Sequence, residues 1–169
     1  MANVYDAVVI GGGNSGLEAA RDLLPFASKI YLLEYAPTLK GDAVTQEMLR
    51  KEEKMNIITN ADTKEIFGVE FVQGLKYEDR ISGAEKLIHA DGVFIAIGMR
   101  PNSDVVKGLV DMTPSGNVIV DHKTMQSSTK GIWAAGDITD GSYNQINTAI
   151  GEAIKAVLNI SELLSIGGL

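Results

Sequence analysis

The chain has 169 residues, 45% apolar and 22% charged, and a net charge of −7, enough for one ordinary globular domain or one plus part of another. The acidic balance argues against a nucleic acid or an anionic membrane as partner, since both need a basic patch, and no apolar run is long enough to span a bilayer. The chain contains no cysteine and only two histidines. That removes disulfides, thiol nucleophiles and redox dithiols from this chain, and with His89 and His122 far apart no metal site is expected. No basic start followed by an apolar stretch marks a signal peptide, so the cytoplasm is the default location.

In chain order, Val4–Ile10 (VYDAVVI) predicts a buried parallel strand. A triple glycine follows, and Asn14-Ser15 opens a helical pattern that Pro25 ends. Lys29–Glu34 predicts a second strand, giving a βαβ unit of about thirty residues. Asp42–Lys54 predicts a helix with Asp42 as N-cap, and Asn56–Thr59 a short strand. Residues 62–90 change character. Their strand-like pieces, broken by Gly68, Gly74 and Ser82-Gly83, predict an antiparallel meander with a hairpin turn near Ser82-Gly83. Gly92–Ile97 predicts another apolar strand closed by Gly98. Met99–Gly116, with Pro101 and Pro114, reads as a linker. Asn117–Asp121 and Gly131–Ala135 predict strands. Asn144–Leu164 predicts a long helix with Ile146, Ile150, Ile154, Val157, Ile160 and Leu164 on one stripe.

Gly11-x-Gly13-x-x-Gly16 matches the dinucleotide fingerprint. The first glycine permits the tight turn, the second lets the backbone approach a pyrophosphate, and the third allows close packing of helix and strand. Helix-start amides then face the phosphates. Glu34 ends the next strand, where a carboxylate accepts hydrogen bonds from the adenine ribose of NAD and repels the 2′-phosphate of NADP. No basic side chain follows it before Lys40, so NAD(H) is the expected cofactor. The competing readings are a glycine-rich packing turn and a solvated strand-end glutamate. Gly131–Asp137 (GIWAAGD) is a second small-residue strand end, in which Asp137 suits a polyol or a helix N-terminus.

These motifs together resemble the thioredoxin reductase-like flavoproteins, and within them the branch of alkyl hydroperoxide reductase flavoprotein subunits. VVIGGGNSGLEAA resembles that family's pyridine-nucleotide motif and LLEYAP its NADH-preferring second strand. VFIAIGMRPN resembles the strand and crossover returning to the flavin domain. GIWAAGDITD resembles the second flavin motif, and YNQINTAIGEAIKA the helix over the flavin. The resemblance implies that Gly13, Asn14 and Ser15 lie against the NAD pyrophosphate, Glu34 on the adenine ribose, and Glu18 and Gly98 near the nicotinamide. It also implies that Gly136 and Asp137 meet the flavin pyrophosphate and ribityl chain, and Gln145 and Ile146 the isoalloxazine. Glu18 reads equally well as a solvated first-turn residue, and Ile146 as helix core. No catalytic side chain is assigned.

The resemblance further implies a division into an NAD(H)-binding Rossmann-like domain, 1–98, and a crossover linker with the C-terminal segment of an FAD-binding domain, 99–169. The family's amino-terminal flavin segment and its CxxC have no counterpart in this sequence. The expected fold is α/β, a parallel sheet with an antiparallel meander crossing one face and helices on both faces. The expected function is the NAD(H)-binding part of a flavin oxidoreductase, passing hydride from NADH to FAD and incomplete alone. A partner chain or self-association would supply the rest of the flavin domain and cover the stripe on the last helix. The alternatives are a non-catalytic NAD(H)-binding module and, more distantly, a nucleotide-using methyltransferase.

Overall fold

A computed structural model describes residues 5–167; Val4, the first residue of the predicted opening strand, lies outside them. The chain divides into two compact units, Met1–Gly98 and Met99–Leu169.

The first unit runs β1 (Tyr5–Ile10), α1 (Asn14–Leu23), β2 (Ala27–Leu33), α2 (Ala43–Arg50), β3 (Met55–Ile58), β4 (Ala61–Gly68), β5 (Val72–Asp79), β6 (Ala84–His89) and β7 (Gly92–Ile95). An all-parallel sheet has the order β3-β2-β1-β7, and an antiparallel sheet the order β4-β5-β6.

Side chains alternate along a strand, and β1 uses both faces. Ala7 and Val9 join Leu17, Ala20, Ile30, Leu32 and Leu49 in a core beneath α1 and α2. Val8 and Ile10 join Leu33, Leu75, Tyr77 and Ile88 in a core beneath the meander. The sequence predicts helices on both faces, and here the structure differs. The steps from β1 to β2 to β3 move in one direction, and right-handed crossovers place both helices on the same side. The meander covers the other. Each fully buried Leu or Ile contributes roughly 1.5–3 kcal/mol, and the cover lies over β1 and β2 on both faces, whereas Phe94 and Ile95 of the edge strand β7 stay exposed.

Asp42 caps α2 as predicted, its carboxylate accepting from the Thr45 amide at 2.8 Å. That amide, donating to the charged form, holds the Asp42 carboxyl below its ordinary value. The helix stops at Arg50, short of the predicted Lys54. The Lys51 and Glu52 amides bond back three residues, to Met48 and Leu49, which tightens the chain into a turn. Lys54 Nζ donates to the carbonyls of Leu24 and Ala27. Met55 can then pair with Ile30.

The second unit holds a short 3-10 turn (Asp104–Val106) and α3 (Ile146–Ser165). Its core is Val118, Val120, Met125 and Ala156, with Trp133 packed against it. The strands predicted at Asn117–Asp121 and Gly131–Ala135 are only isolated bridges, such as Met112 with Val118 and Gln126 with Trp133. Side chains take the intervening amides: Asn117 N bonds Thr113 Oγ1 and Val120 N bonds Asp140 Oδ1. No continuous ladder forms. The predicted linker, Met99–Gly116, is an irregular but packed part of this unit. Ser103 is buried and donates to the Gly116 carbonyl.

Along α3, Ala156 is the buried residue among those described. Ile146, Ile150, Ile154, Val157 and Leu164 are each more than half exposed. No helix among the described residues is long and apolar enough to cross a membrane.

Candidate dinucleotide cleft

The glycine loop between β1 and α1 lies at the carboxyl ends of the parallel strands, where open α/β sheets take ligands. A cleft of about 540 Å³ opens there, within the usual size of ligand sites. It runs from Ala96, Ile97 and Gly98, past Gly11–Ser15, to Glu34, Tyr35 and Thr63.

Each glycine of the fingerprint has its own reason. Gly11 sits at φ +115°, and a Cβ on it would lie 2.2 Å from the Ala96 carbonyl oxygen. A Cβ on Gly16 would lie 1.8 Å from the Gly11 carbonyl oxygen, so loop and helix touch through bare backbone. Gly13 differs: nothing lies within 4 Å of its would-be Cβ. It occupies the N-cap of α1 at φ −81°, with no side chain to cap the helix and no acid in the first turn. The first amides of α1 are thus left for a ligand anion. Gly12, outside the fingerprint, is equally constrained. A Cβ there would meet Leu39 at 2.6 Å and Glu34 Oε2 at 2.8 Å.

Glu34 is buried. Its Oε2 accepts from Gly12 N at 2.7 Å and its Oε1 from Ala36 N at 2.8 Å. It is therefore no solvated strand-end glutamate. It ties the end of β2 to the glycine loop, and each oxygen keeps lone-pair capacity for a further donor. Among the described residues, Thr63 Oγ1 is a buried polar atom without a partner. An orphan of this kind on a cleft wall suits a site completed by a ligand.

The structure gathers Gly11, Gly13, Asn14, Ser15, Glu34 and Gly98 around this cleft. Asn14 is partly committed: its Oδ1 accepts from Asp42 N at 2.8 Å and so ties α1 to the start of α2. Glu18 is exposed on α1 and is not among the cleft-lining residues. Lys40, Tyr35, Asp62 and Thr63 also line the cleft, and sequence reasoning does not single them out. Asp62 and Thr63 carry no local motif; only the topology, with β4 following directly on β3, could have found them.

In the second unit, Gly136, Asp137, Gln145 and Ile146 line one hollow of about 500 Å³. Gly136, at φ +81°, would place a Cβ 3.2 Å from the Ala149 side chain. Its amide donates to Glu152 Oε2 at 2.7 Å, a contact unseen in sequence because Glu152 sits sixteen residues later on α3. Ile146 is 80% exposed, which removes the helix-core reading for it. An open wall with a small-residue turn fits one side of a flat ring system with a polar tail. No group of His, Asp or Glu among the described residues is arranged to hold a metal ion.

The family model for pyridine nucleotide-disulphide oxidoreductases matches residues 3–153. The chain is 43% identical over 159 residues to a Bacillus subtilis NADH dehydrogenase, covering 94% of this chain and 31% of that protein. It is 46% identical over 151 residues to a Pseudomonas putida alkyl hydroperoxide reductase subunit, covering 89% and 29%. Thioredoxin reductase from T. acidophilum superposes with a TM-score of 0.80 at 36% identity, covering 94% of this chain and 52% of that one. The Lactococcus lactis thioredoxin reductase gives 0.84 at 28% identity, covering 96% and 54%. The chain thus spans about a third of these curated relatives and about half of these solved structures. The resemblance read from the motifs is borne out: the chain belongs to the pyridine nucleotide-disulphide oxidoreductase family, with a thioredoxin reductase-like fold.

Proposed function

We propose that this chain is the NAD(H)-binding part of a thioredoxin reductase-like flavin oxidoreductase. Residues 1–98 form the NAD(H)-binding domain and residues 99–169 the crossover and C-terminal segment of an FAD-binding domain. The observation that carries this reading is the pairing of Gly13 with Glu34. The one leaves the helix start uncapped and open, and the other presents a buried carboxylate on the same cleft. Backbone amides at Asn14 and Ser15 would hold the pyrophosphate, and Glu34 would accept from the adenine ribose hydroxyls. Gly98 would leave room beside the nicotinamide. Gly136 and Asp137 would hold the flavin tail, and Gln145 and Ile146 would lie against its ring. When bound, the two cofactors supply the redox step, a hydride passing from NADH to FAD. The chain has no cysteine, so a dithiol acceptor must belong to other polypeptide. The remaining flavin-binding surface comes from further polypeptide too.

Calorimetric titration with NADH and NADPH, with and without FAD, tests the reading. NADH binding tighter than NADPH, and independent of FAD, is expected. Equal NADPH binding would overturn the cofactor assignment. The second reading, a non-catalytic NAD(H)-binding module, is favoured by the fact that the first unit has two cores and the cleft to itself. Colour separates the two: a yellow purified protein retains flavin, whereas a colourless one that binds NADH does not.

A further inference from the structure

No basic side chain stands beside Glu34 in the sequence, yet the fold brings one to Tyr35 from forty-five residues away. Arg80 lies with its guanidinium carbon 3.9 Å from the centroid of the Tyr35 ring. Its Nη1 donates to the Tyr35 carbonyl at 3.0 Å. Tyr35 lines the cleft directly after Glu34; Arg80 does not line it.

Arg80 is held in that place by its backbone. It follows β5, and its amide donates to the Asn60 carbonyl at 2.8 Å. Asn60 adopts φ +57° in the turn joining β3 to β4, a conformation asparagine tolerates better than most residues. The Asn60 amide donates to Ala36 O, and the Ala61 amide to Glu34 O. The residues on either side of Tyr35 and the residue stacked on its ring are thus bolted to one turn. On the other side of Arg80, Asp79 organises the hairpin, accepting from Lys86 Nζ and from the Ile81 and Ser82 amides.

A tyrosine that is 56% exposed has no packing reason to be so restrained. A cation over one face of an aromatic ring orients it and leaves the other face free. The guanidinium is also engaged, its carbon over the ring and one nitrogen on a carbonyl, so it is poorly placed as a clamp for a 2′-phosphate. Resting on the NAD(H) reading above, we infer that Tyr35 is the stacking platform for the adenine ring. On this inference Arg80 is the positioning residue that holds the platform. The order along the cleft agrees. Helix-start amides, Glu34 and Tyr35 follow one another as pyrophosphate, ribose and base do in the ligand. Thr63, with its unpartnered hydroxyl, stands on the wall at that end.

The test uses the full chain and titrates ADP-ribose, 2′-phospho-ADP-ribose and reduced nicotinamide mononucleotide by calorimetry. Stacking on an aromatic side chain predicts that Tyr35→Leu weakens ADP-ribose by about tenfold and that Tyr35→Phe does not. Arg80→Ala should weaken it by about threefold in the wild-type background and have no effect in Tyr35→Leu. The mononucleotide, which has no adenine, should respond to none of these. An Arg80→Ala effect that persists in Tyr35→Leu would overturn the positioning role. A loss confined to the 2′-phosphorylated ligand would make Arg80 a phosphate contact instead. If the wild type binds ADP-ribose and Tyr35→Leu binds it equally well, the platform alone fails. If the wild type binds no ADP-ribose, the NAD(H) reading fails with it.

Discussion

Glu34 accepts the Gly12 amide at 2.7 Å across twenty-two residues of sequence, so the residue read from sequence as a cofactor ligand also holds the loop that would cradle that cofactor. Both carboxylate oxygens are in use, the second on Ala36 N. Glu34→Gln must turn an NH2 toward one of these amides, donor against donor. Stranding a buried donor costs about 1–3 kcal/mol. Urea denaturation should show a loss of that size, and NADH affinity should fall with it. A Glu34→Gln protein as stable as wild type would mean that the carboxylate does not hold the loop.

The three fingerprint glycines should separate into two classes. Gly13→Ala meets nothing within 4 Å at φ −81°. It should therefore melt like wild type while NADH binding weakens by about 1–3 kcal/mol, the usual cost of forcing a methyl into a close contact. Gly11→Ala and Gly16→Ala put a Cβ 2.2 and 1.8 Å from carbonyl oxygens. They should lose about 3 kcal/mol or more of stability. Thermal melts alongside NADH titrations read both quantities, and a destabilised Gly13→Ala would contradict the open-cleft geometry.

What sequence made legible was whatever is periodic or locally encoded. β1, α1 and β2 follow from the apolar run, the glycines and Pro25, and the meander from its turn residues. Asp42 was readable as a cap because its partner, Thr45, is three residues away. Three things were not readable. The side on which both helices lie depends on strand order, which no local pattern encodes. The bridges around Val118 and Trp133 depend on side chains such as Asp140 intercepting backbone amides. Arg80 on Tyr35 and Glu152 on Gly136 are contacts between residues distant in sequence.

The stripe on α3 was legible, and so was its want of a cover. Ile150 and Ile154 are 53% and 55% exposed, and a contiguous apolar face of this kind marks an interaction surface. Light scattering over a dilution series should show mass above that of one chain at high concentration. Ile150→Glu with Ile154→Glu should restore the single-chain mass with unchanged helix content. A wild type that stays monomeric throughout would show that the face does not mediate self-association.

The hairpin that carries Arg80 should respond to acid through Asp79. The Lys86 ammonium, then the Ile81 and Ser82 amides, all favour the charged carboxylate and lower its pKa from 3.8 to about 2. A folded-state value below the unfolded one means that the stabilisation is fully present above 3.8. It fades as pH falls and is gone once pH has passed through about 2. Asp79→Asn should therefore melt below wild type near neutral pH, with the gap constant down to 3.8 and closing between there and about 2. Carboxyl carbon shifts followed by NMR across that window would locate the Asp79 midpoint directly. A midpoint at the ordinary aspartate value, or a gap indifferent to acid, would mean that the Lys86 and amide contacts do not hold the turn in solution.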